Sequence, residues 1–343
     1  MYADLEETVK RSALALGLIV AAISASPAVA SQVISTSTVT RLTLQLNNKG
    51  EALLTYTSRG KRVHVLAWGA VNAISTQPGH KQVAFKLDYS GGYQKYFKHN
   101  AEAQALVRRY RAIKNTPGYL ASPVVRELQH VQQHADNYWK TAFHGGCGHY
   151  DGPVLAWAVV ECKAPDGSYW AVQEWQRKLP DYGGRASGRD AAYEVHLSHW
   201  TGALPVLSVG TDWAWHQWNH LYGTFTYDGV PVFGLRSTSA GQPLDSFGRN
   251  VYVDTFDSVY GAGWKRENSF LTHKGDGVFC YSINPHGTHP AGTGSEYRAT
   301  VMGPGVTPDV MWEGPAPGRY NKAADAQRNL AIAGLHDSLC RPN

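Results

Sequence analysis

The chain has 343 residues, and 32 Lys and Arg against 27 Asp and Glu give a formal net charge of +5. The basic residues are scattered in pairs such as Lys61-Arg62 and Arg108-Arg109. Nucleic-acid-binding proteins concentrate such charge in a patch or stripe, so the composition argues against nucleic acid as a partner. A hydrophobic content of 43% is typical of folded proteins and argues against a disordered chain.

The first thirty residues have the features of a secretory signal peptide. Lys10-Arg11 precedes an apolar run at residues 12–26, and small residues at 28–30 supply a cleavage site. The run is shorter than the roughly 20 residues that span a bilayer, and Pro27 ends its helix. We therefore predict cleavage, a secreted or cell-envelope location, and no membrane insertion afterwards. An uncleaved anchor is the alternative, because this charged end also contains acidic residues.

Four cysteines follow the predicted signal peptide, and none belongs to a C-x-x-C pair. In an oxidising compartment an even number most simply forms two disulfides. Three pairings are possible, and we favour Cys147–Cys162 with Cys280–Cys340. Each bond would stabilise the fold by about 3–4 kcal/mol through loop closure.

The N-terminal part predicts a β-meander from about residue 31 to residue 96. Leu42, Leu44 and Leu46 alternate with polar residues, which is the period of a half-buried strand. Turn sequences at 47–50 and 58–61 separate this strand from two others. A fourth strand is predicted at residues 83–89.

Helices are predicted next in the chain and again near its end. Asn100 favours an N-cap for a helix that extends to Lys114. Ser122 followed by Pro123 is a strong start signal for a second helix, whose apolar spacing continues to residue 142. Residues 321–339 predict an amphipathic helix.

Strands dominate the remaining sequence. Two hairpins are predicted around the turns at 165–167 and 228–229, because Asp-Gly between alternating apolar residues is a strong hairpin signal. Further strands are predicted at the following ranges: 193–198, 204–209, 250–256, 278–283 and 297–302. The fold class is therefore mainly β with peripheral helices (α+β), with an antiparallel β-sandwich-like core and two disulfides.

We expect three segments in the chain. These are a signal peptide at 1–30, an N-terminal β-meander plus helix at 31–116, and an aromatic-rich β domain with flanking helices at 117–343. Residues 31–343 could equally form one continuous domain, because no long linker or repeat separates them.

The densest polar stretch, residues 236–289, interleaves charged and aromatic side chains. Sugar-binding clefts and glycosidases use both, because carboxylates hydrogen-bond hydroxyls or transfer protons and rings stack on apolar sugar faces. If the protein is an enzyme, its catalytic carboxylates are Asp254 with Glu267 or Asp257. The candidate ligand-binding residues of this stretch are Tyr252, Arg249, Trp264 and Arg266. Alternatively, Arg249 and Arg266 form structural ion pairs with the acids.

Three tryptophans within six residues form a second candidate site. On a strand, Trp213 and Trp215 share one face and Trp218 lies on the other, so the three rings cannot all enter one core face. We therefore expect at least one ring near the surface, where large aromatic side chains serve as binding platforms. Packing of all three between sheet and helices is the alternative.

The fifteen histidines give weak evidence for a metal site. His196 and His199 lie three apart on a predicted strand and therefore point to opposite faces. His286 and His289, with His273 added, form the better candidate, although exposed loop histidines often bind nothing. We expect no cofactor and no metal. No G-x-S-x-G or H-E-x-x-H motif occurs, and the S-x-x-K match at 58–61 is interpreted as a turn.

Four short sequences resemble a family of secreted actinobacterial proteins of unknown function. They are DGPVLAW (151–157), CKAPDGSYW (162–170), VYVD (251–254) and WKRENS (264–269). The resemblance covers most of the mature chain and implies export, but no activity and no functional residue.

The leading hypothesis is a secreted, disulfide-stapled, non-catalytic protein that recognises an extracellular glycan or cell-envelope polymer. The first alternative is a secreted, glycosidase-like hydrolase that acts on such a polymer through paired carboxylates. The second is a structural envelope protein whose aromatic residues serve packing alone.

Overall fold

The computed structural model describes most of the chain after residue 31. The described residues are 32–69, 85–144, 147–152, 155, 157–176, 193–202, 204–214, 218–227, 230–231, 235–237, 243–245, 250–258, 261–268, 271–272, 278–283, 294–302 and 308–334. Antiparallel sheets with few helices confirm the β-rich α+β class. The predicted signal peptide lies outside the described residues.

Nineteen strands form the described sheets. The first ten are β1 (Gln32–Ser35), β2 (Thr40–Leu46), β3 (Glu51–Ser58), β4 (Lys61–Trp68), β5 (Lys86–Asp88), β6 (Ala158–Lys163), β7 (Tyr169–Gln176), β8 (Tyr193–Trp200), β9 (Pro205–Ala214) and β10 (Trp218–Tyr227). The others are β11 (Val230–Pro231), β12 (Leu235–Ser237), β13 (Pro243–Asp245), β14 (Asn250–Ser258), β15 (Gly261–Asn268), β16 (Leu271–Thr272), β17 (Val278–Ile283), β18 (Glu296–Met302) and β19 (Val310–Pro315).

The predicted meander is a four-stranded sheet in the order β2-β3-β4-β5. β3 and β4 are joined by a two-residue turn, because Ser58 pairs with Lys61. Arg59 and Gly60 between them have φ of 50° and 75°. Two successive positive φ values are what a type I′ hairpin turn requires. The S-x-x-K sequence is therefore this turn, as predicted.

A second sheet has the order β1-β8-β7-β6. β6 and β7 form the predicted hairpin, in which Lys163 pairs with Tyr169. Asp166 stabilises its turn by accepting hydrogen bonds from the backbone N–H (2.9 Å) and the hydroxyl (2.6 Å) of Ser168. The predicted disulfide Cys147–Cys162 is confirmed, and it links the chain before the hairpin to β6.

These two sheets share one hydrophobic core. Leu54 and Val65 of the first sheet lie in the same buried cluster as Val172 and Leu197 of the second. Each fully buried side chain of this size contributes about 1.5–3 kcal/mol. Because Gln32 in β1 pairs with Leu197 in β8, the second sheet joins segments from either side of residue 116. The division of the chain at that residue stays a prediction.

The C-terminal strands form two further sheets. One contains β9, β10, β11, β16 and β17, and the other contains β12, β13, β14, β15, β18 and β19. Leu221 of the former lies in one buried cluster with Val253 and Ala299 of the latter. The Trp218 end of β10 pairs with Ala214 of β9, and Tyr227 pairs with Val230, as expected for the predicted turn at 228–229.

Four α-helices are described: α1 (Ala101–Ile113), α2 (Pro123–Asp136), α3 (Tyr138–Thr141) and α4 (Lys322–Ala333). A π-helical turn covers Gln94–Lys98 and a 3₁₀ turn covers Tyr119–Ala121. The predicted caps are confirmed, because Asn100 Oδ1 accepts from the N–H of Ala103 (2.9 Å) and Ser122 Oγ accepts from that of Val124 (3.3 Å).

Two predicted boundaries differ in the structure. The second helix ends at Asp136 rather than near 142, because Asn137 leaves the helical conformation and donates from its side chain to the carbonyl of Gln133 (2.9 Å). Of the strand predicted at 83–89, residues 83 and 84 lie outside the described residues, and the rest is limited to the three residues of β5. The last helix begins after Asn321 as predicted, and residues beyond 334 lie outside the description.

Glu51 links the helical segments to the first sheet through hydrogen bonds. This buried carboxylate accepts hydrogen bonds from the side chains of Tyr138 (2.5 Å), Asn47 (2.7 Å), Lys95 and Tyr96. Burial raises the pKa of Glu51, but these hydrogen bonds outweigh burial and lower it overall. The network therefore holds α3 in a fixed place on the sheet.

One disulfide is formed among the described residues. Cys340 lies outside them, so its pairing with Cys280 stays a prediction. In the described part of the chain, none of the helices is long and apolar enough to cross a membrane.

Candidate ligand-binding surface

A buried ion pair lies at the centre of the last sheet. Asp254 in β14 faces Arg298 in β18 directly across the strand pair. The Nε and Nη2 atoms of Arg298 lie 3.1 and 3.0 Å from Asp254 Oδ2, and the Asp254 side chain is 1% exposed. Glu313, which faces Arg298 from β19, lies 3.7 Å from its Nη1 atom. Three adjacent strands thus carry alternating charges at one level of the sheet.

Two tryptophan rings contact the guanidinium group of this pair. The Arg298 Cζ atom lies 4.2 Å from the ring centroid of Trp264 and 5.5 Å from that of Trp157. Trp264 is brought there by β15, which places it opposite Phe256, and the two rings pack edge to face at 5.2 Å. Cation–π contact with a largely buried arginine fixes the orientation of both indoles. We call Trp157, Trp264 and Arg298 the tryptophan surface.

Trp157 is the most exposed member of the tryptophan surface, at 40%. Its backbone has φ of 59°, a left-handed conformation that costs a non-glycine residue on the order of 1–3 kcal/mol. Its Nε1–H group contacts Met311 Sδ in β19 at 2.8 Å. The ring is therefore held at the surface in a strained backbone conformation, a feature that clusters at ligand-binding sites.

The predicted tryptophan platform is only partly described. Trp213 is buried, its Nε1–H donates to the carbonyl of Gly318 (2.7 Å), and its ring meets that of Tyr320 edge to face. This side chain therefore serves packing, which was the alternative interpretation. Trp215 lies outside the described residues, and Trp218 is placed only by its backbone at the start of β10.

The predicted catalytic carboxylates have different surroundings. Asp254 is held in the buried ion pair, whereas Asp257 is exposed and accepts a hydrogen bond from the N–H of Gly263 (2.7 Å). Glu267 lies on β15 at a register shift, between the residues that pair with Val253 and Asp254. The side chain of Glu267 lies outside the description, so a carboxylate pair with Asp254 stays a prediction.

The predicted arginine and tyrosine contacts are placed only in part. Arg266 pairs with Asp254 in the backbone register of β14 and β15, and Tyr252 lies on β14. Their side chains and the whole of Arg249 lie outside the description. The described partner of Asp254 is Arg298, which the sequence analysis did not select. Its signal was a charged residue in the middle of an apolar strand, flanked by the buried Tyr297 and Ala299.

A second buried charge cluster lies where β8 meets the start of β19. His196 is fully buried, with Nδ1 3.0 Å from Asp309 Oδ2 and Nε2 3.3 Å from Glu194 Oε2. Burial lowers the pKa of His196, but the hydrogen bonds to Asp309 and Glu194 outweigh burial and raise it to about 9. His196 is therefore an imidazolium at neutral pH. Gln173 also pairs with the backbone of Asp309 through two hydrogen bonds of 3.0 and 3.1 Å.

His199 and His196 point to opposite faces of β8, as predicted. His199 stacks on Trp170 with a centroid separation of 3.7 Å, and its Nε2 atom lies 2.8 Å from Ser168 Oγ. Within the described ranges, no group of three or more His, Cys, Asp or Glu is placed to hold a metal ion. The candidate metal ligands His273, His286 and His289 all lie outside those ranges.

Comparisons with protein-family models, with curated proteins and with solved structures found no match for this chain. The resemblance to secreted actinobacterial proteins therefore stays a prediction.

Proposed function

We propose that the mature protein is secreted, non-catalytic, and binds an extracellular glycan or cell-envelope polymer through the tryptophan surface. The observation that carries the proposal is the pair of indoles that both contact the Arg298 guanidinium group, with Trp157 exposed at 40%. Flat aromatic rings present large apolar faces, and the apolar faces of sugar rings stack on them. Rings that are already fixed lose little side-chain entropy on binding.

The buried ion pair gives this surface its rigidity. Arg298 is oriented by Asp254 from below, and it contacts both rings at the same time. A flexible glycan loses considerable entropy when it binds, so a preformed surface favours its recognition. We further propose the second disulfide Cys280–Cys340 and a sandwich-like pairing of the sheets, both suited to a protein that acts outside the cell.

The hydrolase alternative requires a carboxyl group that reaches the scissile bond. Asp254 is 1% exposed and already accepts two hydrogen bonds from Arg298. An aspartate used in this way has no open face for a sugar oxygen, so its described surroundings support a structural role. We therefore propose binding rather than hydrolysis as the function of this region.

The test is a binding screen of the mature protein against xylan, cellulose and purified peptidoglycan. We expect at least one polymer to bind, and Trp157→Ala combined with Trp264→Ala to weaken that binding about tenfold or more. The matched control is Tyr193→Ala, which removes an aromatic side chain of similar exposure (39%) from β8.

Three outcomes would overturn the proposal. Absence of binding to every polymer would favour the structural envelope protein. If the tryptophan double variant and the control variant Tyr193→Ala lose binding equally, or if neither loses it, the binding site lies away from the tryptophan surface. Release of reducing sugar that Asp254→Asn abolishes would establish the hydrolase instead.

A further inference from the structure

A polar groove of about 550 Å³ lies between the outer face of the first sheet and α3. One wall consists of strand residues, including Thr43, Gln45 and His64. The other wall is formed by Trp139 and Lys140, and Arg62 stands beside His64 on β4. We call Arg62, His64, Trp139 and Lys140 the basic groove. It shares no residue with the tryptophan surface.

The rings of His64 and Trp139 stack on each other where the two walls of the basic groove meet. His64 and Trp139 lie 3.8 Å apart with an interplanar angle of 19°. Thr55 Oγ1 lies 2.9 Å from His64 Nδ1 and fixes the imidazole orientation. The stack also packs on Gly91, where a Cβ atom would lie 3.1 Å from the Trp139 ring and 3.2 Å from His64 Cβ. Gly91 has φ of 68°, so glycine is required both by the space and by the backbone.

The cations of the basic groove have no anionic partner among the described residues. Arg62 and Lys140 are exposed, and no ion pair there involves either side chain. The Lys140 Nζ atom lies over the Trp139 ring, 4.9 Å from its centroid. Burial, followed by the charges of Arg62 and Lys140, lowers the pKa of His64. Among the described residues, the groove thus carries two cations without an ion-pair partner.

We propose that the basic groove binds a sugar unit that carries an anionic group, as part of an acidic extracellular polysaccharide. The half-buried His64 and Trp139 rings line the groove and offer apolar contact to the sugar, the two cations attract its anion, and Thr43 with Gln45 offer hydrogen bonds to hydroxyls. The sugar half of this inference rests on the proposed function. The anionic half rests on the charge of the groove alone.

Calorimetric titration with trigalacturonate at low salt tests the inference. We expect the double variant Arg62→Met with Lys140→Met to bind at least tenfold more weakly than the unmodified protein. The fully methyl-esterified trisaccharide should show a similar loss, because it keeps the rings and lacks the charges. The control variant, Arg126→Met with Lys114→Met, removes two exposed cations elsewhere and should bind normally.

Each remaining outcome bears on a definite part of the inference. Equal binding of the acid and its ester, or equal binding by the groove and control variants, would overturn it. Inorganic phosphate binding as tightly as the trisaccharide would overturn the sugar half. If trigalacturonate fails while a neutral polymer still binds at the tryptophan surface, only this inference fails. If no carbohydrate binds at all, the proposed function fails with it.

Discussion

The tryptophan surface and the basic groove both combine cations with aromatic rings. They differ in whether a described residue of the protein supplies a negative charge to pair with the cation. In the tryptophan surface, Arg298 is paired with the buried Asp254. In the basic groove, Arg62 and Lys140 have no such partner among the described residues. The same residue types therefore serve two purposes. A compensated cation orients rings from within the protein, whereas an uncompensated cation is available to an anion from outside.

Removal of Arg298 should have the largest effect on this comparison. Arg298→Met leaves Asp254 buried without its guanidinium partner, and loss of one member of a buried pair costs about 3–5 kcal/mol. Urea denaturation should show this loss in the free energy of unfolding. Arg62→Met, at an exposed position, should change the same quantity by no more than about 0.5 kcal/mol. Equal effects of the two variants would contradict the distinction between compensated and uncompensated cations.

The buried imidazolium next to β19 predicts a smaller, pH-dependent effect. The pKa of His196 rises from an ordinary 6.5 to about 9 on folding, because Asp309 and Glu194 outweigh the effect of burial. Its stabilising contribution is therefore complete below about pH 6.5 and is lost as the pH rises towards 9. The loss is on the order of 3 kcal/mol.

Unfolding free energies measured at intervals between pH 6 and pH 9 check this prediction. His196→Gln should flatten the profile across that window, whatever its effect on stability at pH 6. A decline of the same slope in the variant would show that other groups cause the pH dependence.

The smallest expected effect concerns the protonation of His64 in the basic groove. Its pKa is lowered by burial and then by Arg62 and Lys140. The double variant Arg62→Met with Lys140→Met should therefore raise the pKa of His64, which NMR titration of the imidazole signals measures. Above its pKa the imidazole of His64 is neutral, and its protonation does not oppose folding. Lowering the pH should therefore reduce the stability of this region, and raising it should not. An unchanged pKa would mean that the two cations do not act on the groove.

The local signals in the sequence predicted local structure well. The caps at Asn100 and Ser122 and the two-residue turn after Ser58 all depend on residues close together in the chain. Hydrophobic alternation likewise located most strands. Asn137 ended a helix earlier than the apolar spacing indicated, because its side chain competes for the backbone.

The candidate site was harder to predict because its contacts are distant in sequence. Trp157 touches Met311 across 154 residues, and Arg298 meets Asp254 across 44. Such contacts depend on which strands become neighbours in a sheet. The hydrophobic alternation along one strand shows which face is buried but does not identify the strand that pairs with it. Trp213 is buried for the same reason, since its partners Gly318 and Tyr320 follow it by more than a hundred residues.

The pairing of β1 with β8 has a consequence for the folding of this chain. Gln32 must meet Leu197, so a loop of more than 160 residues closes before the second sheet is complete. Contacts of such long range form slowly. Until β1 arrives, β8 presents an open edge of unpaired backbone groups, which is the kind of edge that other chains can join. Once β1 is in place, the edge of the sheet is a strand of four residues with a register shift, which is less suited to pairing with other chains than the eight residues of β8. Shortening the chain at that end would expose the longer edge of β8.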